Sequence, residues 1–386
     1  MNNKSTKTAV LQALLAALLF GLNAPFAKML LQGLTPVFMA ALLYLGAGLG
    51  MSSVALFSRS KRRQLAGLAI QEADLAKGDA IWVILMVMLD IAAPFLLMLG
   101  LLRTSAATAS LLNNFEMVAT AVIALLFFHE AISRRIWLSL GLITPASVIL
   151  GMDARSWTEI SFSTGALLVL GACLCWGLEN NCTRNLSSKD PLQIVIIKGF
   201  GSGLGALLLG LIFGLPLIAT PAGSGGLADP LFTGKTLVQI GGALLLGFFS
   251  YGLSIYFYVH AQRWLGAART SLYYAAAPFI GAAASFLLLH ENPGLAFFIG
   301  AVLMLGGTIL AQLEKHRHTH QHVMMEHEHA HNHSDGHHQH THPDENGQPD
   351  HAQPDADLPH SHVHQHQPLK HSHEHQPDTH HRHPHD

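Results

Sequence analysis

Two groups of residues in this 386-residue chain have types and spacings that could perform chemistry. The first is the C-terminal segment 316–386, which holds all but three of the 27 histidines, many of them in H-x-H repeats. The second consists of single carboxylates inside long apolar stretches, above all Asp90 and Glu116. Alternating histidines suit metal binding, whereas an isolated carboxylate among apolar residues suits proton or cation exchange.

The histidine-rich tail can supply several neutral imidazoles to one ion, with Glu and Asp adding oxygen ligands. We expect it to bind Zn, Ni, Co or Cu weakly and exchangeably, because it contains no cysteine. Its lack of aliphatic periodicity predicts disorder, and a solubilising extension without a role in metal handling is the alternative. The candidate ligands are His327, His329, His331, His333, His337, His338, His340, His342, His360, His362, His364 and His366.

The two carboxylates each lie midway along an apolar run, Asp90 in IWVILMVMLDIAAPFLLMLG and Glu116 in ASLLNNFEMVATAV beside Asn113 and Asn114. A charge at the centre of a bilayer costs about 2.5–3.5 kcal/mol on insertion scales. On a helix, Asn113, Glu116 and Thr120 share one face. We predict a proton or cation site at Asp90 and Glu116, and the alternative is that each carboxylate only fixes helix packing through a hydrogen bond.

Other polar and aromatic residues in the apolar part could line the same site. Asn23 and Glu179 stand at comparable places in two similar segments, and Lys198 could pair with Glu179 or reach the inner interface. Lys28 and Arg184 are expected to extend to the lipid headgroups. The aromatic residues considered for a solute pocket, with packing as the alternative, are Trp176, Tyr251 and Tyr274.

The composition excludes an ordinary soluble domain, since half of the residues are hydrophobic, only 12% are charged and the mean hydropathy is +0.34. A helix of about 20 apolar residues crosses a bilayer, and the lipid bilayer is therefore a partner of this chain. Ten such spans fit, which predicts an all-α polytopic membrane protein. They are 9–31, 35–57, 79–102, 105–128, 136–152, 163–186, 191–216, 236–259, 267–289 and 294–313.

The basic residues of the connecting segments predict the orientation, because Lys and Arg are retained on the cytoplasmic side. With the N-terminus inside, the outer ends carry only Arg103, Arg155 and Lys235. We therefore expect a multi-pass protein of the cytoplasmic (inner) membrane with both termini cytoplasmic. The inner ends carry Lys4, Lys7, Arg59, Lys61, Arg62, Arg63, Lys77, Arg134, Arg135, Arg184, Lys189, Arg263 and Arg269.

The chain also repeats itself. ALLFGLNAPFAKML (17–30) aligns without gaps to CLCWGLENNCTRNL (173–186), and residues 106–130 align without gaps to 267–291, both ending in HE. Because each copy has five spans, an odd number, the second copy crosses the membrane in the opposite direction. Such an inverted repeat forms a central cavity that can open at either end. The predicted divisions are a first repeat 1–152, a second repeat 153–315 and a disordered tail 316–386.

These elements resemble the EamA-type permeases of the drug/metabolite transporter superfamily over roughly residues 9–313: GLNAPFAK, TSAATASLL, LFFHEAISRRIW and the 5+5 layout. The resemblance implies a carrier of small organic solutes that works without ATP hydrolysis, often as an exporter. The chain departs from the family pattern at Met117, where the fourth span usually has a proline like Pro278 in the ninth. This leaves the substrate class open.

Together these features predict a secondary transporter that exports small organic metabolites and has a cytoplasmic tail that binds divalent transition metals. The alternatives are a carrier of divalent metal cations with the tail as ion collector, and a membrane-anchored metal buffer. No Ser/His/Asp, HExxH, CxxC or GxxxxGK[ST] pattern is present, so we expect neither an enzyme nor a required cofactor. The expected partners are a small-molecule substrate and transition-metal ions but no nucleic acid, and a homodimer remains open.

Overall fold

Apolar segments that cross a bilayer must pair their backbone groups internally, which a helix achieves within one segment. The structure is a computed structural model. It describes residues 3–64, 77–128, 133–152, 162–183, 186, 189, 191–215, 234–265, 267–312 and four tail segments, 317–321, 325–331, 360–366 and 370–374. Nearly all of the described chain before the tail is helical, as the apolar runs predict.

Fourteen helices are found in the described residues, and some spans consist of two successive helices. A 3-10 turn at Lys77–Asp79 precedes α4, and a π-helical segment at Phe248–Leu253 joins α10 to α11. The helices are α1 (Asn3–Gly21), α2 (Asn23–Leu30), α3 (Pro36–Gln64), α4 (Ala80–Leu101), α5 (Ala106–Leu112), α6 (Phe115–Phe128), α7 (Arg134–Gly151), α8 (Thr164–Thr183), α9 (Pro191–Ile212), α10 (Gly234–Gly247), α11 (Ser254–Leu265), α12 (Ala267–Tyr274), α13 (Ala277–Leu289) and α14 (Leu295–Gln312).

Nine helical spans in the described part of the chain are long and apolar enough to cross a membrane. They agree with nine of the ten predicted spans to within a few residues at most ends, for example Ala80–Leu101 against the predicted 79–102. The remaining predicted span, 136–152, coincides with α7, which begins with two arginines and is not among the nine.

Contacts between helices fix the course of α7. A Cβ added at Gly165, at the start of α8, would lie 2.7 Å from the backbone of Arg103, whereas α6 ends at the opposite end of the bundle. The helix between them must therefore run the length of the bundle. It does so antiparallel to α14, since Gly300 lies against Leu150 and Gly307 against Ile143.

Two further contacts distinguish the two ends of the bundle. Lys28, Thr104 and Glu291 meet at one end, which we call the far end. Because α1 and α2 run towards it and α14 runs away from it, Asn3 and Gln312 both lie at the other end, which we call the terminal end.

Glycines allow the closest helix contacts. A Cβ on Gly48 of α3 would lie only 3.1 Å from the backbone of Gly199 in α9, and one on Gly203 would lie 2.7 Å from Leu45. Small residues at such crossings let two backbones approach and gain dispersion contacts. The α3–α9 pair thereby joins the first repeat to the second.

Four short strands lie in the histidine-rich tail. β1 (Arg317–Gln321) pairs antiparallel with β4 (Lys370–Glu374), and β2 (Met325–His331) with β3 (His360–His366). The expectation of disorder over 316–386 stays a prediction. The H-x-H alternation has the two-residue period of a strand, so one face of each strand carries the histidines.

Candidate functional site

Three spans are interrupted near the middle of the bundle. The first breaks at Leu22 between α1 and α2, the fourth at 113–114 between α5 and α6, and the ninth at 275–276 between α12 and α13. The last two breaks fall within one residue of each other in the repeat alignment. The N–H groups at these breaks keep carbonyl partners three or four residues earlier, for example Leu22 N–H with the Leu18 carbonyl oxygen at 3.1 Å. Discontinuous helices near the midplane are a common design in transporters.

The breaks of the first and ninth spans touch. A Cβ added at Gly21 would lie 2.5 Å from the Ala277 carbonyl oxygen, and one at Gly281 would lie 2.7 Å from the Ser110 hydroxyl oxygen. Pro278 stands in the first turn of α13, where a proline fits because its missing N–H needs no partner. The fourth span breaks without a proline, so Met117 does not change the backbone pattern that the repeat shares.

A buried ionic triad lies beside these breaks. Lys198 Nζ of α9 is 2.8 Å from Glu179 Oε1 of α8 and 3.3 Å from Asp90 Oδ2 of α4. Asp90 and Glu179 are 1% and 3% exposed. Glu179 also accepts a hydrogen bond from Thr183. Of the two alternatives left open for Lys198, the structure shows the pairing with Glu179 and adds Asp90 as a second partner.

Asp90 is held by one further partner. The Tyr44 hydroxyl of α3 donates a hydrogen bond to Asp90 Oδ1 at 2.7 Å. The other oxygen, Oδ2, is within ion-pair distance of Lys198 but receives no aligned hydrogen bond. Tyr44 was missed by the sequence reasoning, although a lone hydroxyl in the apolar run AALLYLGAGLG is a signal that could have identified it.

Glu116 faces a second cluster. Asn180 Nδ2 of α8 lies 2.7 Å from Glu116 Oε1 and 3.3 Å from Thr120 Oγ1, so Glu116 and Thr120 share the helix face that their spacing predicts. Glu116 and Asp90 are not joined directly. They are linked through two consecutive residues of α8. Asn180 donates a hydrogen bond to Glu116, and Glu179 contacts Lys198, which also contacts Asp90.

Aromatic rings connect this charged region to the first span. Asn23 Nδ2 donates to the Tyr251 hydroxyl at 3.2 Å, and the rings of Tyr251 and Tyr44 are 5.2 Å apart. Phe20 packs against Tyr251 at 6.3 Å and against Tyr274 at 5.7 Å. Tyr251 belongs to the π-helical segment, a local widening of the helix that is frequent at functional sites.

The remaining predicted residues are placed differently. Trp176 belongs to the main hydrophobic core, as Tyr44 and Tyr251 do, and its role in a solute pocket stays a prediction. Asn113 and Asn114 form the turn between α5 and α6, and Asn113 Oδ1 and Asn114 Nδ2 are buried without a hydrogen-bond partner. Buried polar atoms normally find partners, so an unpartnered pair at a helix break is a place where a solute could bind.

The far end of the bundle is closed by an ion pair that we call the far-end latch. Glu291 Oε1 and Oε2 accept hydrogen bonds from the backbone N–H groups of Ala106 and Ala107, at 2.8 and 2.9 Å. Lys28 Nζ lies 3.3 Å from Glu291 Oε1 and donates to the Thr104 carbonyl at 2.5 Å. A carboxylate at the first N–H groups of a helix is favoured by the helix dipole.

The latch corrects the expectation that Lys28 merely reaches the headgroups, because its ammonium is bound within the protein. His290, in the left-handed conformation with φ 52°, ends α13 and turns the chain so that Glu291 reaches α5. The sequence could have predicted this ion pair, because Lys28 and Glu291 carry opposite charges and lie at span ends on the same predicted side of the membrane. Arg184, with His129 and Glu130, lies outside the described residues.

The terminal half of the site is more open than the far half. At the far half, α5 packs closely against α13, and α2 packs against both. At the terminal half, α6 packs on α8 and α12 packs on α1 and α11, but α6 and α12 scarcely touch. Glu116, Asn180, Tyr258 and Tyr274 are partly or fully exposed on the two sides of this gap.

For the tail, the structure describes backbone positions only. Of the predicted metal ligands, His327, His329 and His331 lie directly opposite His364, His362 and His360 in the β2–β3 pair. His366 also lies on β3, opposite Met325. The other candidates, His333, His337, His338, His340 and His342, lie outside the described residues. Among residues whose side chains are described, no group of three or more His, Cys, Asp or Glu is arranged to hold a metal ion.

Comparisons with known proteins agree with this architecture. An uncharacterized transporter from Methanothermobacter thermautotrophicus is 27% identical over 309 residues, covering 76% of this chain and 83% of that protein. A solved structure described only as "Crystal structure of protein" has a TM-score of 0.52 at 17% identity, over 79% of this chain and 98% of that one, which shows a shared fold. The model of the EamA-like transporter family matches twice, at residues 7–152 and 163–313. The chain therefore belongs to the EamA-like transporter family, as its motifs suggested.

Proposed function

We propose that the protein is a secondary transporter that exports small organic metabolites across the cytoplasmic membrane by alternating access. The observation that carries the proposal is the asymmetry of the bundle. The latch and the packing of α5 on α13 close the far end, whereas α6 and α12 leave a gap between them at the terminal end, beside which Glu116 and Tyr274 are partly exposed. A carrier loaded from one side has this arrangement in one of its two states.

The proposed direction rests on the distribution of charges. Basic residues concentrate at the end that carries Asn3 and Gln312, and such residues are retained in the cytoplasm. The terminal end is then cytoplasmic, the protein is a multi-pass protein of the inner membrane, and the gap admits solutes from the cytoplasm. Loading from inside and closure outside are what an exporter needs before its transport step.

We assign the coupling step to Asp90 and Glu116. Both are carboxylates within the bundle, and protonation of either would remove a charge from it. Proton uptake at Asp90 would weaken its attraction to Lys198, and uptake at Glu116 would change its bond with Asn180. Either event alters contacts between α8 and the first repeat, so a proton can bias which end of the site is open.

For the tail we propose weak binding of divalent transition metals. The register of β2 and β3 supports this, because each of three histidines on one strand has a histidine directly opposite. Cross-strand neighbours have Cβ atoms about 4.5–5.5 Å apart, a spacing from which two imidazoles can reach one ion. The tail would then respond to metal at the cytoplasmic face, and the transport step would not depend on it.

The test compares cells that express the full chain, Asp90→Asn, Glu116→Gln and a truncation after Lys315. Metabolites in the medium and cellular metal content are measured together. The proposal expects the full chain to raise the export of at least one organic solute, both substitutions to reduce that export, and the truncation to preserve it. If the full chain and Glu116→Gln differ in metal content but in no organic solute, a divalent-cation carrier is the better description.

A further inference from the structure

Building on the proposed function, we infer that the central site accepts a protonated amine, with the ammonium group bound at Asp90 beside the aromatic residues that lead to Asn23. Four residues form a continuous chain there. Asn23 bonds the Tyr251 hydroxyl, the Tyr251 ring packs on the Tyr44 ring, and the Tyr44 hydroxyl bonds Asp90. The chain joins the break of the first span to the ionic triad.

Each end of this chain presents an acceptor without an aligned donor. Asn23 Oδ1 and Asp90 Oδ2 are both buried and receive no hydrogen bond from the protein. The residues are 3% and 1% exposed. Buried polar atoms of native proteins are nearly always paired. Asn23 Oδ1 has no partner and Asp90 Oδ2 has only the Lys198 ammonium at 3.3 Å, so both oxygens can accept from a ligand that donates. An ammonium group has several N–H donors and no acceptor, which matches them.

The balance of charge favours the same ligand. Among the described residues, the charged side chains grouped around this site are Asp90, Glu179 and Glu116 on the negative side and Lys198 on the positive side. When all are ionised, carboxylates exceed ammonium groups at the centre. A cation is therefore attracted and a carboxylate or phosphate repelled, and the low polarity of the bundle interior strengthens both effects.

The aromatic side chains complete a receptor for an organic amine. Phe20, Tyr44 and Tyr251 pack around the buried end of the chain, and Tyr258 packs on Tyr274 at 4.9 Å beside the gap. The faces of aromatic rings attract cations, and their apolar surface suits the hydrocarbon body of a ligand.

Because Lys198 contacts two carboxylates, an incoming ammonium can bind Asp90 without leaving Lys198 unpaired. Its shorter contact is with Glu179 at 2.8 Å, and its contact with Asp90 is 3.3 Å and not aligned as a hydrogen bond. An incoming ammonium can take over Asp90 while Lys198 remains on Glu179. Asp90 is thus the exchangeable partner of the triad, and a proton and an amine compete for it.

The experiment uses the purified full-length protein and three compounds that share one hydrocarbon body: 2-phenylethylammonium, 2-phenylethanol and phenylacetate. Binding is measured at pH 7 as the concentration-dependent rise in Tm. We expect only the cation to raise the Tm, and Asp90→Asn to weaken its binding at least tenfold. Tyr251→Phe, which removes one hydroxyl and keeps the ring, should weaken it by a smaller factor.

Asp79→Asn is the matched control, since it breaks an Asp–Lys pair of similar length, 3.4 Å to Lys189, at the terminal end and away from the site. It should bind the cation as the wild type does. Equal binding of all three compounds, preference for phenylacetate, or unchanged binding by a folded Asp90→Asn protein would overturn the inference.

Transport in proteoliposomes separates this inference from the proposed function. If labelled 2-phenylethanol or phenylacetate exchanges faster than across protein-free liposomes and the ammonium compound neither exchanges above that background nor binds, the transporter proposal stands and the amine site is refuted. If the ammonium compound binds in an Asp90-dependent way but no compound exchanges, the amine site stands and the transport proposal is contradicted.

Discussion

Replacing Glu291 by glutamine tests whether the far-end latch holds the bundle closed at that end. The carboxylate accepts from two backbone N–H groups at the start of α5, through one oxygen each, and pairs with Lys28. Glutamine keeps the shape but has one acceptor oxygen, so one N–H loses its partner and the other faces a neutral group.

The size of the effect follows from these contacts. A hydrogen bond to a charged group contributes about 1.5–3 kcal/mol. The Lys28 side chain is 31% exposed, so its ion pair adds less than about 1 kcal/mol. Glu291→Gln should therefore shift the balance towards a state open at the far end by about 2–3 kcal/mol. At a factor of ten for each 1.4 kcal/mol, the open population rises roughly 30- to 150-fold.

A buried cysteine reports this opening. Cys173, Cys175 and Cys182 are first replaced by serine, and Ala109, which is fully buried in α5 behind the latch, is replaced by cysteine. The rate of maleimide labelling in detergent then scales with the open population. Glu291→Gln should accelerate labelling by the factor given above.

Lys28→Met is the matched comparison, because it removes the ion pair but leaves both backbone N–H groups bound to Glu291. It should accelerate labelling only a few-fold. If Glu291→Gln leaves the rate within twofold of the parent, or if Lys28→Met has the larger effect, the capping of α5 does not control the closure.

Three further predictions concern the centre and the tail. Lys198→Met leaves two buried carboxylates without their cation and should lower stability by about 3–5 kcal/mol, measured as Tm in detergent; the double variant with Glu179→Gln should recover part of this loss, and a purely additive result would contradict the coupling. Gly21→Val places a side chain 2.5 Å from the Ala277 carbonyl oxygen and should cost about 1–3 kcal/mol by overpacking, which a Tm equal to that of the wild type would refute. Truncation after Lys315 should abolish Ni or Zn binding in equilibrium dialysis while the Tm of the membrane part stays the same, and metal retained by the truncated protein would place the site elsewhere.

The helical layout could be predicted from the sequence because bilayer thickness leaves a long uninterrupted apolar signal. The breaks within spans could not. Asn113 and Asn114 occur in a segment whose apolar pattern continues on both sides, and Leu22 carries no special backbone preference. These breaks depend on close contacts with other spans, such as that of Gly21 with Ala277, which are distant in sequence.

The polar residues were predicted more readily than their partners. Asp90, Glu116 and Glu179 are conspicuous because a charge in an apolar run is costly. Which of them meets Lys198 depends on the rotation of α4, α8 and α9 about their axes, and helix packing sets that rotation. The positions of these residues along their spans were therefore insufficient to decide whether Lys198 pairs with Glu179 or reaches the inner interface. They also gave no indication that Tyr44 contacts Asp90.

The ionic triad also has a consequence for biosynthesis. Asp90 belongs to the first repeat, but its cation, Lys198, and the second carboxylate, Glu179, belong to the second. While the chain emerges from the ribosome, α4 must enter the membrane before its counter-charge has been translated. The first repeat alone therefore holds an uncompensated carboxylate, and it reaches its final packing only after α9 has been inserted.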